Sequence, residues 1–323
     1  MAEVLVTGAT GMIGTHLLAR LRDRPRGAVV GTRFGPDQPA PDPAAVLLEL
    51  DVRDAAALRD CIAAHRPAVI YHLAAQSLPT LSWVEPNLTL DVNVQGTVNV
   101  FEAVQHVRVV HDGGYDPMVV VACSSAEYGA SMTPARVPLD EHAPLLPLHP
   151  YGVSKVAQDL LAFQYWCNRR IRCIRARLFN TTGAGKRHDV VSDFAARVAA
   201  IRRDGGVLRV GNLDVRRAIM DVRDSIDALL ALAERGEPGE AYNICADAPV
   251  RIGELIPIFE QLVGMSLHVA CDPALLRPTD EPVIHGRNDK LRRQTGWAPR
   301  ISLHQTVRDV LDHEIARLAT APA

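Results

Sequence analysis

The sequence predicts an α/β fold built on a doubly wound parallel sheet, with a smaller C-terminal lobe. Short apolar runs rich in β-branched residues alternate with longer segments of helical periodicity in the first half of the chain, as in a parallel sheet covered on both faces. A glycine-rich turn follows the first of these runs. We expect residues 1–179 to form mainly one domain and residues 180–323 mainly the lobe, with a return of some lobe segment to the sheet left open.

The apolar runs define the expected strands and the periodic segments define the helices. Strands are predicted at residues 4–7, 29–32, 46–50, 69–73, 118–123 and 173–178. Helices are predicted at residues 12–22, 55–64, 88–107 and 151–168, and in the lobe at 190–203, 222–234, 253–263 and 303–318. Two proline-rich stretches, 34–43 and 134–150, are predicted to be loops, the second overhanging the functional site.

Composition and charge argue against several classes of protein. The 323 residues are 48% hydrophobic and 22% charged, which suits a globular chain with a sizeable core. A formal net charge of −2 offers no cationic excess for nucleic acid or an anionic membrane surface. No apolar run approaches the roughly 20 residues of a membrane helix, and the early first strand leaves no room for a signal peptide. We therefore expect a cytoplasmic protein that binds neither nucleic acid nor membrane.

The six cysteines form no CxxC pair, so we expect reduced thiols and no metal site.

The glycine-rich turn predicts a dinucleotide site. Gly8, Gly11 and Gly14 lie between the first strand and the first helix, where glycines let the backbone turn sharply and approach a pyrophosphate at the helix N-terminus. Met12 and Ile13 stand at that N-terminus. The motif in this context predicts a Rossmann-type NAD(P) site, with a tight structural turn as the alternative.

The residues at the ends of the second and third strands are expected to contact the adenosine half of the cofactor. The second strand ends in Arg33 where sites that prefer NAD usually have a carboxylate, so we predict that NADP(H) is favoured over NAD(H). A solvated surface arginine is the alternative. Asp51 is expected to accept from the adenine amino group, or else to cap the helix that begins near residue 55.

Tyr151 and Lys155 are the candidate catalytic pair. Only three of the 35 basic residues are lysine, yet Lys155 stands four residues after Tyr151, on the same face of a helix. A neighbouring ammonium is expected to lower the pKa of Tyr151 and prepare it for proton transfer. Ser124 and Ser125 follow a predicted strand, and either hydroxyl could hold the reacting oxygen. An exposed helical pair is the alternative.

These residues resemble a known family. Six motifs are similar to those of the extended short-chain dehydrogenase/reductases, which are NAD(P)-dependent enzymes that act on nucleotide sugars. They are the glycine motif, Asp51-Val52-Arg53, the run from His72 to Ser77, Asn93, Ser124-Ser125 and Tyr151-x-x-x-Lys155. The resemblance covers nearly the whole chain. Residues 177–183, 190–195, 209–213 and 276–280 resemble GDP-mannose 4,6-dehydratases and, more closely, their sister GDP-6-deoxy-4-keto-hexose reductases.

The resemblance implies roles for individual residues. It implies a catalytic triad of Ser124, Tyr151 and Lys155, with Lys155 also holding the cofactor ribose. It implies cofactor contacts from Val52, Leu73, Ala74 and Ala75. It implies nucleotide-sugar contacts, mainly in the C-terminal lobe, from Ser77, Ser125, Asn180, Val191, Arg217 and Arg277. It further implies a homodimer in which the helices 88–107 and 151–168 pair across a two-fold axis.

One departure from the family pattern bears on the reaction. Ala126 stands where the dehydratases and many of the sister reductases carry a glutamate, and an alanine cannot transfer a proton, which argues against 4,6-dehydration. Glu127 is adjacent, but in an extended segment its side chain would point to the other side, as a partly exposed salt-bridge residue. Residues 216–221 and Thr181 also depart from the pattern, which bears on the identity of the sugar.

The sequence therefore predicts NAD(P)H-dependent reduction of a nucleotide-linked 4-keto-6-deoxyhexose, with GDP as the expected nucleotide, in deoxysugar biosynthesis. An isomerase that uses the same triad, either a C4 epimerase or a mutase, is the alternative. The intact Ser124, Tyr151 and Lys155 argue against a cofactor-binding protein without turnover.

Overall fold

A computed structural model describes residues 2–22, 28–35, 46–111, 113–276 and 281–320. The strands of these residues are, in chain order, β1 (Ala2–Thr7), β2 (Ala28–Arg33), β3 (Val46–Glu49), β4 (Val69–His72), β5 (Met118–Ser124), β6 (Cys173–Leu178), β7 (Thr181–Thr182), β8 (Leu208–Val210), β9 (Arg216–Arg217), β10 (Met220–Asp221), β11 (Ala241–Ile244), β12 (Val250–Arg251), β13 (Val269–Cys271) and β14 (Val283–Ile284). The helices are α1 (Met12–Arg22), α2 (Ala55–His65), α3 (Pro79–Val84), α4 (Pro86–Leu90), α5 (Gly96–Val110), α6 (Pro150–Arg169), α7 (Val190–Asp204), α8 (Val222–Arg235), α9 (Leu255–Val263), α10 (Asp289–Thr295) and α11 (Leu303–Thr320).

A parallel sheet forms the centre of the described fold. Its seven strands lie in the order β11-β6-β5-β4-β1-β2-β3, and every neighbouring pair is parallel. The chain reverses its direction of travel across the sheet between β1 and β4, which creates the crevice where such sheets bind ligands, at the carboxyl ends of the strands. The predicted fold class is confirmed. β11 comes from the C-terminal half of the chain, so that half contributes one strand to the sheet.

Two apolar layers cover the sheet because its strand residues alternate between its faces. Val6 and Val120 point into a layer with Leu17 of α1 and Leu229 of α8. Leu5, Val119 and Val121 point the other way, into a layer built by α2, α5 and α6. A third cluster, from α7, α9 and α11, forms the core of the C-terminal lobe. The lobe therefore has its own packing, beside the edge of the sheet.

Two predicted helices differ in the structure. The helix expected at 88–107 is divided by a π-helical turn at Asp91–Gln95, where the buried Asn93 bonds to a neighbouring segment instead of lying on a regular helical face. The helix expected at 253–263 opens with a 3-10 turn at Ile252–Glu254. The proline-rich loop at 34–43 lies mostly outside the described residues.

The second proline-rich stretch, 134–150, is a loop in the structure and folds back on both halves of the chain. It pairs with Gly129 through Leu146 and with Gly286 through Leu139.

Among the described residues, no helix is long and apolar enough to span a membrane. All six cysteines are free thiols, two of them exposed, Cys167 and Cys271.

Candidate active site

The turn after β1 has the geometry that the glycine motif predicts. Gly8 has a φ of +68°, and a Cβ there would lie 2.8 Å from the backbone N and Cα of Ala74. A Cβ on Gly14 would lie 2.4 Å from the Gly8 carbonyl oxygen. Among the described residues, a Cβ on Gly11 would approach only that same oxygen, at 3.3 Å. The backbone is therefore closely packed around Gly8 and Gly14, while space remains beside Gly11. That space suits a pyrophosphate at the start of α1.

The helix start supplies donors to this opening. Met12 and Ile13 are the first two residues of α1, and N–H groups in a first helical turn have no acceptor within the helix. The helix dipole adds partial positive charge at the same end. The residues present thus fit a dinucleotide phosphate.

A buried histidine network, which the sequence analysis did not predict, holds the segment after β4 against this turn. Thr7 Oγ1 accepts from Ala74 N at 3.2 Å and lies 2.9 Å from His72 Nδ1. Thr97 Oγ1 donates to the Asn93 carbonyl at 2.6 Å, so its 3.1 Å contact with His72 Nε2 requires the histidine to donate. Burial, with the charge of Lys155, lowers the pKa of His72 to about 3, so the ring is neutral. The network positions the run Leu73, Ala74 and Ala75, whose side chains are partly exposed.

The residues predicted for the adenosine half lie at the ends of β2 and β3. Arg33 is the last residue of β2, and its carbonyl accepts from Leu50 N. Asp51 forms a bidentate ion pair with Arg53, whose Nε and Nη2 donate to Asp51 Oδ2 at 2.9 and 2.6 Å. Burial on its own would raise the pKa of Asp51, but the hydrogen bonds and charge of Arg53 hold that pKa below its usual value. Asp54, not Asp51, caps α2, so the capping alternative for Asp51 was wrong. The side chain of Val52 is buried.

The catalytic helix α6 places Tyr151 and Lys155 in its first two turns. The helix begins after His149, whose ring Nδ1 accepts from Gly152 N at 3.0 Å. Lys155 is only 3% exposed, and its ammonium lies 5.7 Å from the centre of the Tyr151 ring. The alternative of an exposed pair was therefore wrong. Lys155 Nζ donates to the carbonyl oxygen of Ala122 at 2.8 Å, which fixes the ammonium beside β5.

The expected lowering of the tyrosine pKa was wrong. Tyr151 is partly exposed, but its burial within the site raises the pKa of the phenol to about 12, and the neighbouring Ser124 side chain opposes this only in part. Burial also lowers the pKa of Lys155 to about 8. The sequence reasoning counted the ammonium beside the phenol but not the desolvation of both groups, which is the larger effect here.

Ser124 joins this pair from the end of β5. It has an extended backbone conformation and starts a 3-10 turn at Ser125–Glu127, with its Oγ accepting from Ala126 N at 3.2 Å. The Ser124 side chain lies near enough to the Tyr151 phenol to oppose the rise in its pKa, so the two hydroxyls face the same site. The structure thus assembles Ser124, Tyr151 and Lys155 at one point on the carboxyl edge of the sheet. Ser125 is partly exposed beside them.

The segment after Ser124 corrects the expectation for Glu127. It is a 3-10 turn and not an extended run, and Glu127 is fully buried instead of partly exposed. Its carboxylate accepts from Ser124 N at 2.7 Å and lies 3.3 Å from Arg177. Ala126 remains partly exposed, so the position that carries a glutamate in dehydratases offers no carboxylate.

The residues predicted to hold the nucleotide sugar are spread over the sheet edge and the lobe. Asn180 follows β6, and its Oδ1 is buried without a hydrogen-bond partner among the described residues. Ser77 is exposed after β4. Arg217 is largely buried and donates to the carbonyl of Glu281 at 2.8 Å. Val191 is buried in the lobe core, so its side chain faces apolar neighbours. Arg277 lies outside the described residues.

Asn93, to which the sequence analysis assigned no role, connects the site's segments. Its Oδ1 accepts from Gln76 N and its Nδ2 donates to Ser154 Oγ, each at 2.8 Å. Ser154 in turn donates to the Tyr151 carbonyl at 2.7 Å. The π-helical turn that carries Asn93 is a feature often found at functional sites, but its irregular hydrogen bonding leaves no periodic signal in the sequence.

A family model described as GDP-mannose 4,6 dehydratase matches residues 5–310. The chain belongs to the GDP-mannose 4,6 dehydratase family. This assignment confirms the family and the enzyme class that the sequence motifs predict.

Members and relatives of the family differ in reaction. GDP-6-deoxy-D-mannose reductase of Pseudomonas aeruginosa is 31% identical over 312 residues, which cover 96% of each chain. UDP-glucose 4-epimerase of Rhizobium leguminosarum bv. trifolii is 27% identical over 336 residues, again covering 96% of each chain. Among solved structures, RMD from Pseudomonas aeruginosa complexed with NADPH superposes with a TM-score of 0.83 at 27% identity, covering 98% of this chain and 100% of that one.

Proposed function

We propose that this chain uses a reduced nicotinamide cofactor to reduce the 4-keto group of a GDP-linked 6-deoxyhexose. The observation that carries the proposal is the combination of an assembled Ser124, Tyr151 and Lys155 with no available carboxylate at Ala126. The 31% identity to GDP-6-deoxy-D-mannose reductase over nearly the whole chain supports the same reaction.

Reduction of the ketone needs a hydride at C4 and a proton on the carbonyl oxygen. When bound, the reduced nicotinamide supplies the hydride and leaves oxidised. Tyr151 then gives its phenolic proton to the oxygen of the former carbonyl, so the product is an alcohol. Ser124 hydrogen-bonds the same oxygen as charge develops on it. Lys155 holds positive charge beside the phenol, which stabilises the phenolate left after proton transfer.

The protonation state of Tyr151 suits this direction of reaction. With burial raising its pKa to about 12, the phenol carries its proton at neutral pH. A reductase needs that proton at the start of its reaction, whereas an epimerase or dehydratase begins by taking a proton from the sugar hydroxyl.

A 4,6-dehydratase also needs an acid/base group beside C5 and C6. Ala126 cannot act as one, and the Glu127 carboxylate is bonded to Ser124 N and lies beside Arg177. We therefore infer that the chain does not remove water from GDP-mannose.

A C4 epimerase is the second candidate because the relatives include a UDP-glucose 4-epimerase that matches the whole chain. It would use the same three residues without net consumption of cofactor. One set of incubations distinguishes the reductase from the epimerase and the dehydratase.

The test uses the purified chain with three substrates. With NADPH and a GDP-4-keto-6-deoxyhexose, we expect nicotinamide absorbance to fall and the sugar to gain two hydrogens. With GDP-mannose and oxidised cofactor, we expect no loss of water by mass spectrometry. Conversion of UDP-glucose to its C4 epimer without a change in absorbance would instead support the epimerase. Water loss from GDP-mannose would contradict the argument from Ala126.

We infer that NADPH is the preferred cofactor. The position of Arg33 at the end of β2 supports this, since a guanidinium pairs well with a 2′-phosphate. The P. aeruginosa structure that superposes on this chain is a complex with NADPH.

We also infer a homodimer built on the segment 88–107, which includes the end of α4, and on α6. These helices expose apolar side chains to solvent: Leu90 on α4, and Val153, Leu160 and Phe163 on α6. Val153 and Leu160 are seven residues apart, so they share one helix face. A second copy of the chain across a two-fold axis would bury this face.

A further inference from the structure

Glu127 occupies an unusual position for a carboxylate. It is fully buried directly beneath the candidate active site, in the turn that begins at Ser124. Oε1 accepts from Ser124 N at 2.7 Å, while Oε2 has no hydrogen bond among the described residues. Burial and the nearby Asp159 carboxylate raise the pKa of Glu127 well above its usual value, against the opposing charge of Arg177. Among the described residues, the hydrogen bond that Glu127 accepts is the one from the backbone of Ser124.

Arg177 links this turn to the catalytic helix. Its Nε donates to Asp159 Oδ2 at 2.9 Å and lies 3.3 Å from Glu127 Oε2. Asp159 is on α6, four residues after Lys155 and eight after Tyr151, so all three residues lie on the same face of the helix. Asp159, Arg177 and Glu127 therefore form a continuous buried connection from the helix of Tyr151 to the backbone of Ser124.

The cluster does not have the chemistry of a metal site. Ligand atoms of Cys123, Glu127 and Asp159 lie within 4.8 Å of one another. However, the Arg177 guanidinium is ion-paired with both carboxylates, at 2.9 and 3.3 Å, and already supplies the positive charge there. Burial also raises the pKa of the Cys123 thiol, which keeps it protonated and a poor ligand.

Stability alone gives a weak reason for a carboxylate at this position. Burying an ionisable group is costly, and replacing buried ion pairs with apolar side chains is often neutral or stabilising. An apolar residue of similar size would leave the Arg177–Asp159 pair intact. It would remove the acceptor for Ser124 N, and that acceptor is what distinguishes Glu127 from an apolar side chain here.

We propose that Glu127 is a positioning residue that holds Ser124 in register with Tyr151 through the Ser124 backbone, braced by Arg177 and Asp159 on α6. The proposal rests on the proposed function, because it assigns Ser124 to the reacting oxygen. Because the Glu127 side chain is fully buried and bonds to the Ser124 backbone, we expect it to act on turnover and not on cofactor binding.

The test compares two substitutions at one position. Glu127→Leu removes the acceptor but keeps a buried side chain of similar length, and Glu127→Gln keeps a carbonyl oxygen that can accept from Ser124 N. We expect Glu127→Leu to lower kcat by about tenfold or more, as small misplacements of catalytic groups do. Its Kd for NADPH should stay within about twofold of the parent value, while its melting temperature should fall by only a few degrees, because Ser124 N loses a buried acceptor. Glu127→Gln should recover most of the lost kcat.

Ser131→Ala is the matched control. Ser131 is fully buried four residues after Glu127, and its Oγ donates to the Pro144 carbonyl at 2.7 Å, without a bond to Ser124. This variant also loses one buried hydrogen bond, yet should keep the parent kcat. A Glu127→Leu variant with parental kcat would overturn the proposal, and so would a loss in Ser131→Ala as large as that in Glu127→Leu.

A measurement without substrate separates this proposal from the proposed function. Hydrogen exchange at the Ser124 amide, followed on a peptide that spans residues 118–127, should accelerate in Glu127→Leu and stay slow in Glu127→Gln. If the parent protein reduces no 4-keto sugar, the proposed function fails while the exchange result still tests the contact. Unchanged exchange in Glu127→Leu would overturn the positioning role.

Discussion

Lys155 donates from Nζ to the carbonyl oxygen of Ala122 at 2.8 Å, two residues before the strand ends in Ser124. This bond attaches the catalytic helix to the strand that supplies the third catalytic side chain. It also places the ammonium beside the Tyr151 ring, 5.7 Å from its centre. This bond therefore contributes directly to the relative positions of Ser124, Tyr151 and Lys155.

Replacement of Tyr151 by phenylalanine tests its role as proton donor. We expect Tyr151→Phe to lower kcat for the 4-keto sugar by about 10²- to 10⁴-fold, the usual contribution of general acid catalysis. NADPH binding, measured by fluorescence titration, should be unchanged because the ring remains. A variant with the parental rate would show that another group protonates the sugar oxygen.

The pH dependence of turnover tests the charge on Lys155. Burial lowers the pKa of Lys155 to about 8, so the ammonium is present below that pH and is lost as the pH rises through it. We expect kcat/KM to decline above pH about 8, far below the pKa of about 12 at which Tyr151 would lose its proton. In Lys155→Met the rate should be lower throughout and this decline should vanish. Persistence of the same decline in Lys155→Met would assign it to another group.

Replacement of Arg33 by alanine tests the cofactor preference. Loss of charged hydrogen bonds to a 2′-phosphate should weaken NADPH binding by about 1.5–3 kcal/mol, or more than tenfold in Kd. NADH lacks that phosphate, so its Kd serves as the control and should not change. Equal affinity of the parent protein for the two cofactors would contradict the role of Arg33.

A methyl group at Gly8 tests the cofactor turn. Gly8→Ala combines a φ of +68° with a Cβ placed 2.8 Å from the Ala74 backbone. Gly35→Ala is the matched control, because Gly35 has a φ of +83° but no atom of the part of the chain that the structure describes lies within 4 Å of the added Cβ. The left-handed conformation alone costs about 1–2 kcal/mol. We expect thermal denaturation to show a larger loss of stability for Gly8→Ala than for Gly35→Ala, with weaker NADPH binding in Gly8→Ala only. Equal losses in both would show that the close approach to Ala74 is not limiting.

A charge on the exposed face of α6 tests the homodimer. Leu160 is 50% exposed on α6, and Val207, at 48%, precedes β8 in the lobe. We expect Leu160→Glu to dissociate the protein into monomers in sedimentation velocity, because a carboxylate would be buried in the interface. Val207→Glu should leave the dimer intact. A monomeric parent protein at micromolar concentration would contradict the proposal.

Local features of the sequence were sufficient to predict most of the fold. The order of strands and helices, the glycine turn and the pairing of Tyr151 with Lys155 follow from spacing, because a helix brings residues four apart to one face whatever surrounds it. The boundaries of β5 and α6 were predicted within one residue for the same reason. The helix at 88–107 was mispredicted where Asn93 bonds to Gln76, a residue that the sequence places seventeen positions away.

Tertiary structure alone decided the electrostatics of the site. The pKa of Tyr151 is raised and not lowered, because desolvation depends on the atoms that distant segments pack around the phenol, and spacing carries no record of them. The burial of Glu127 against Arg177 on β6 is of the same kind, since it requires two strands and a helix to be assembled first. The sequence by itself determined which chemical groups the site contains and which of them share an element. Their contacts and protonation states were decided by packing between elements, since burial and charge act through space and not along the chain.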